Sequence, residues 1–187
     1  MIHALALAFL SGFVALSYEI LWYRAYSFVS GGAAPAFAFM LALYLAGIAA
    51  GSLASRRFCV DGAPGALSLA LGRFILLANL LGYLFVPLLS WLVTLPDVKW
   101  TWTLPLVAIM SCGLGTILPL VCHRAVAPDS RAGAKVSWIY FVNVLGSASG
   151  SLLTGFWLTD RASLREISLL LAILGAVMGA VALQAGV

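Results

Sequence analysis

Six apolar stretches, separated by charged clusters and by Gly- and Pro-rich breaks, set the pattern of the chain. They predict helices over Ala4–Tyr23, Pro35–Ala54, Ala66–Val93, Trp102–Val121, Val136–Leu158 and Ile167–Leu183. The first holds 20 residues, which at about 1.5 Å per residue covers a hydrocarbon core of about 30 Å. The expected fold class is all-α: a polytopic membrane protein of six transmembrane helices, forming one domain over residues 1–187.

The breaks carry their own chemistry. Ser30-Gly31-Gly32 predicts a turn, and Pro35 suits the first turn of the second helix. Arg56-Arg57 stop that helix, and Asp61-Gly62-Ala63-Pro64-Gly65 is turn-rich. Gly113, Gly115 and Pro119 weaken the fourth helix and predict a kink near Thr116. His123-Arg124 close it, with His123 read as an interfacial cap, and Pro128 to Lys135 form a polar, basic loop. Trp22, Tyr23 and Tyr26 read as an interfacial aromatic belt, with Arg24 snorkelling beside them and Trp100 and Trp102 doing the same further on.

Composition agrees. Hydrophobic residues make up 64% of the chain and charged ones 9%, against about 25% charged in a soluble domain; mean hydropathy is +1.11. The net charge of +4 fits loops against anionic lipid, so the lipid bilayer is the expected environment and nucleic acid is not an expected partner. Cys59, Cys112 and Cys122 lack metal-ligand spacing and read as small buried side chains; no metal and no cofactor is expected. HExxH, CxxC, Walker and GxSxG patterns are absent. The start Met1-Ile2-His3 lacks a positive n-region, which fits an uncleaved first helix, and no soluble domain is expected after the sixth.

Glu19 is the one charge in the first apolar stretch. A carboxylate at that depth costs about 2.5 kcal/mol or more near the bilayer centre, so it is expected to face protein or water. Ala8, Gly12 and Ala15 share its helical face and would let another helix approach. The plainer alternative is an outward Glu19, partly protonated near the headgroups. Tyr18, Arg24, Asn79, Thr116, Asn143 and Thr154 complete the intramembrane polar candidates. Asn143, Gly146, Gly150 and Thr154 fall on one face of the fifth helix, and Gly146 to Gly150 is a GxxxG motif, expected to pack inside the bundle rather than to dimerise. Gly47 and Gly51 repeat that spacing in the second.

Residues 45–53 align with residues 144–152, matching Gly47/Gly146, Ala49/Ala148, Gly51/Gly150, Ser52/Ser151 and Leu53/Leu152. A three-helix unit repeated once must invert in the membrane, giving a 3+3 inverted repeat. Arg56, Arg57, Arg73, Arg124, Arg131 and Lys135 lie on one side of the predicted topology, and Arg24, Lys99, Arg161 and Arg165 on the other. Six cations against four predict both termini in the cytoplasm.

The stretch Leu16-Ser17-Tyr18-Glu19-Ile20-Leu21-Trp22-Tyr23-Arg24 resembles the opening helix of the membrane-bound spermidine-synthase-like proteins. Gly47-Ile48-Ala49-Ala50-Gly51, Gly113-Leu114-Gly115-Thr116-Ile117-Leu118-Pro119 and Asn143 to Gly150 followed by Gly155-Phe156 are similar to that family's second, fourth and fifth helices. The resemblance implies a facilitator-like six-helix module, with the bacterial inner membrane as its expected place. In that family the module usually precedes a cytoplasmic aminopropyltransferase-like domain. This sequence contains no glycine-rich strand-to-helix turn with a downstream acid after the sixth helix, so no enzyme activity is expected. Three functions remain: an anchor or scaffold for a separate soluble partner; a transporter-like half for a small solute, such as a cationic amine, working as a homo-oligomer with Glu19 as counter-charge; and an accessory subunit of a larger membrane complex.

Overall fold

The computed structural model describes residues 1–59 and 64–184; Asp61, Gly62 and Ala63 of the predicted turn lie outside the described residues. Its helices are α1 (Ile2–Val29), α2 (Ala34–Ser55), α3 (Pro64–Leu92), α4 (Pro105–Gly115), α5 (Ile117–Ala125), α6 (Ala132–Leu152) and α7 (Leu164–Gln184), and there is no strand among the described residues. A 3₁₀ turn, Trp100–Thr103, leads into α4, and a π-helical turn, Leu153–Leu158, extends α6. The chain thus holds six helical rods apolar enough to span a membrane. The shortest, Leu164–Gln184, has 21 residues, about 32 Å at 1.5 Å per residue. Helices are the form such segments must take, because lipid offers backbone N–H and C=O groups no partner.

The fourth rod breaks where expected. Gly113, Gly115 and Pro119 leave its middle weak, and Thr116 separates α4 from α5. The Thr116 hydroxyl turns back to the Gly113 carbonyl at 2.7 Å, satisfying a group the break exposes. At the end of α1, Gly31 and Gly32 take φ of +65° and +76°, which an L side chain rarely adopts, so the first turn depends on glycine there.

Three tight seams hold the bundle. On α6, Gly146 faces the Phe9 backbone and Gly150 the Phe13 backbone of α1. On α2, Gly47 faces the Ala108 backbone and Gly51 the Cys112 backbone of α4. Both seams rise in the same direction along the two chains and are therefore parallel. The third, α3 with α7, is antiparallel: Gly72 meets Leu183, Leu76 meets Gly179 and Asn79 meets Gly175. Each contact has a glycine because only a missing Cβ lets two helices come this close, and dispersion between their backbones replaces the hydrophobic drive that lipid does not provide. The expectation that the GxxxG of the fifth span packs internally holds.

Two expectations need correction. The first helix runs six residues past Tyr23, and Trp22 and Tyr26 are fully buried, not interfacial. They fill the core with Tyr18, Tyr44 and Phe85: the Trp22 and Phe85 rings lie 4.8 Å apart, and Tyr26 and Phe85 5.9 Å apart. The Tyr26 hydroxyl shares a 2.9 Å hydrogen bond with Thr103. Only Tyr23 of the expected belt is exposed. The fifth span begins at Ala132, four residues before Val136, because Asp129 holds the preceding turn: its carboxylate accepts from the Arg131 N–H at 2.9 Å and from Lys135 at 2.5 Å.

Candidate functional site

The parallel seams leave a cavity of about 340 Å³ between them. From α1 it is lined by Ser11, Gly12, Ala15, Leu16 and Glu19; from α2 by Tyr44, Leu45, Ile48 and Ser52. Leu114 and Gly115 of α4, Leu118 of α5, and Asn143 and Ser147 of α6 complete it. Glu19 is its one ionisable carboxyl group and is half-buried, ten residues before the end of α1 at Val29, or about 15 Å along the axis. Leu45 and Ser52 are exposed, so the cavity opens sideways, through the wall of the bundle.

The Asn143 amide and the Ser11 and Tyr44 hydroxyls around Glu19 are spent on the scaffold. Asn143 donates its amide to the Ala8 carbonyl at 2.9 Å and to Ser11 Oγ at 3.2 Å. Because a carbonyl only accepts, the amide nitrogen must be the atom facing Ala8, which leaves Asn143 Oδ1 as an acceptor. Ser11 donates to the Ala8 carbonyl at 2.9 Å, and the Tyr44 hydroxyl to the Ala15 carbonyl at 3.2 Å. No described residue hydrogen-bonds or ion-pairs with the Glu19 carboxyl group. The cavity therefore offers unused acceptors: Glu19, Asn143 Oδ1 and the lone pairs of Tyr44. A ligand that brings N–H donors and positive charge complements such a set.

The other polar candidates lie elsewhere. Asn79 is buried between α3 and α7; its amide donates to Ile75 at 2.8 Å, and its backbone carbonyl accepts from the Tyr18 hydroxyl at 3.3 Å. Thr154, in the π-helical turn, donates to Ser17 at 2.9 Å. Thr116 is used at the helix break, and Arg24 donates to the Thr159 carbonyl at 3.2 Å, tying α1 to the end of the fifth span. Of the residues singled out for polarity, only Glu19 and Asn143 reach the cavity. Tyr44, Ser11, Ser52 and Ser147 belong to it too and were missed.

For Tyr44 and Ser147 the signal was the numerical offset of the internal match; Ser11 and Ser52 have no such partner in the lining. The cavity lining contains the pairs Ala15/Leu114, Leu16/Gly115, Glu19/Leu118, Tyr44/Asn143 and Ile48/Ser147. In each the difference is the same (for example 118 − 19 = 99) as in Gly47/Gly146. The seams obey it as well: Phe9 with Gly146 corresponds to Ala108 with Gly47, and Phe13 with Gly150 to Cys112 with Gly51. Tyr44 could have been found as the partner of Asn143.

Six apolar rods, packed by glycine seams around a laterally open cavity that holds one carboxyl group, define an all-α polytopic integral membrane protein. No known family, characterised protein or solved structure matches the chain.

Proposed function

We propose that this chain is a transporter-like membrane half whose Glu19 cavity receives a small organic cation, and that it works as a homo-oligomer. One observation carries the reading: the only carboxyl group within the apolar rods' cavity lies among residues paired at an offset of 99. That pairing supports a 3+3 inverted repeat of α1–α3 and α4–α7, in which the α1·α6 seam is exchanged with the α4·α2 seam. Solutes in transporters built this way bind at the interface of the repeats. An ionisable residue inside a membrane marks a functional site by default. A lateral opening toward lipid would leave Glu19 badly solvated, which favours an assembly that closes it. The loop charges support a topology with both termini in the cytoplasm, and the resemblance supports a bacterial inner membrane. An anchor for a separate soluble partner needs only the bundle and leaves the cavity without a role.

The test is ligand-dependent thermal stability of the purified protein in nanodiscs, using a series of alkylammonium ions. A ligand at about 100 times its Kd stabilises the folded state by about 2.7 kcal/mol. At least one cation should raise the Tm of the wild type, and Glu19→Gln should lose that shift while melting normally without ligand. Equal shifts in both proteins, or none across the series, would remove the cavity as a cation site. Stoichiometric co-purification of a soluble protein would then favour the anchor.

A further inference from the structure

A second cleft, of about 290 Å³, lies between α3 and α7. Pro87 shapes it. Proline has no N–H to give the carbonyl four residues earlier, and the Tyr83 carbonyl instead accepts from the Ser168 hydroxyl of α7 at 3.4 Å. Val86 and Pro87 make an apolar wall, while Tyr83, Ser90 and Arg165 bring a phenol, a hydroxyl and a guanidinium. None of these three side chains has a hydrogen bond or ion pair with a described residue. The adjacent acid is already engaged, because Glu166 accepts from both the N–H and the hydroxyl of Ser163 at 2.8 Å. The two other arginines at this end of the bundle are also engaged. Arg24 donates to the Thr159 carbonyl; Arg161 donates to the Trp157 carbonyl at 3.3 Å and lies 4.7 Å from the centre of its ring.

Depth identifies the ligand. Arg165 is the second residue of α7, and Ser90 lies two residues before the end of α3. Both stand at the membrane boundary, where lipid phosphates lie. We propose that this cleft binds the phosphate of an anionic phospholipid. The Arg165 fork takes two phosphate oxygens, as guanidinium geometry favours. The Ser90 hydroxyl donates to a remaining oxygen, and the glycerol and upper acyl chain lie deeper, on Val86 and Pro87.

Native mass spectrometry of the delipidated full chain tests it, with phosphatidylglycerol, phosphatidylcholine or inorganic phosphate added back. The wild type should retain one phosphatidylglycerol in preference to phosphatidylcholine. Arg165→Gln should weaken that adduct about ten-fold, and Arg165→Lys should restore it only in part, since charge returns without the fork. Arg161→Gln, on the same side but already engaged, should bind as the wild type does. Equal loss in Arg161→Gln, or equal retention of the two lipids, would show nonspecific surface attraction and overturn the site. Displacement by inorganic phosphate at the lipid's own concentration would assign the cleft to a free anion instead.

Discussion

Gly146→Ala adds one methyl group at the α1·α6 seam, and the structure fixes what that methyl meets. Its carbon would press on the Phe9 carbonyl oxygen, with the carbonyl carbon and Cα at 2.7 and 2.9 Å. All three are backbone atoms, so no side chain can turn away and α1 must move as a body. Restoring ordinary contact with that oxygen needs a displacement of more than about 1 Å, a gap that forfeits about half or more of each dispersion well it opens. Overpacking of this kind costs about 1–3 kcal/mol; the better helix propensity of alanine returns at most about 1 kcal/mol. A net loss of about 1–2 kcal/mol should lower the melting temperature by about 2–8 °C for a chain of this size. Circular dichroism melts in detergent measure it. Gly133→Ala is the control: the same helix, but nothing within 4 Å of the added carbon, so only the propensity gain remains. Adding Gly150→Ala should cost less than its single effect, because a shifted α1 has already made room at Phe13. A Gly146→Ala protein melting at or above the wild type, alongside Gly133→Ala, would refute the close seam.

Ser168→Ala should destabilise by about 1 kcal/mol by leaving the Tyr83 carbonyl without a donor, yet be nearly neutral in a Pro87→Ala background, where the helical N–H returns; a double-mutant cycle of melts reads the coupling. The Asp129 carboxyl group is held below its usual range chiefly by the hydrogen bond from Lys135, then by the Arg131 N–H. A depressed folded-state pKa means its stabilising contribution is complete above the ordinary carboxylate range and is lost as pH falls through the folded value. Amide exchange over Ala132 to Lys135, corrected for intrinsic rates, should therefore be flat above about pH 5 and accelerate only in stronger acid, while Asp129→Asn should show the faster exchange at every pH.

The six spans were legible because a run of twenty apolar residues has few other uses, and the kink at Thr116 because Gly113, Gly115 and Pro119 weaken a helix locally. The end of α1 was not. Trp22 and Tyr26 have the composition of an interfacial belt, and only the presence of Phe85 and Tyr44 across the bundle makes them core. Glu19 announced itself by charge and Asn143 by its glycine-rich face. Tyr44, Ser147 and Ser11 are ordinary residues in apolar helices until the pairing of α1 with α6 and of α2 with α4 is known. The π-helical turn at Leu153–Leu158 has no sequence signature of its own; it appears where Thr154 reaches Ser17. Asn79 and Thr154 looked equally fit to line a site, but Asn79 lies in the α3·α7 seam and Thr154 is spent on Ser17 inside the α1·α6 seam.

If α1–α3 and α4–α7 derive from one unit, function must reside where the two halves differ, since whatever they share is already explained by packing. Most of the shared positions are small, Gly47/Gly146 and Gly51/Gly150 among them. The cavity pairs are the ones that diverge. Glu19 stands opposite Leu118, Asn143 opposite Tyr44 and Ser147 opposite Ile48. The polar member of the first and third pairs, and the amide of the second, all belong to the α1·α6 seam, so one wall presents a carboxyl group, an amide and hydroxyls while the facing wall presents a phenol, the Ser52 hydroxyl and hydrocarbon. The proposed transporter-like reading gives this polarity a role that an anchor would not, and a half-buried carboxyl group without a described partner would be a standing cost to an anchor. The proposed site for an amphipathic cation would use this arrangement: acceptors for the charged end on one wall, and a largely apolar surface for the carbon skeleton on the other.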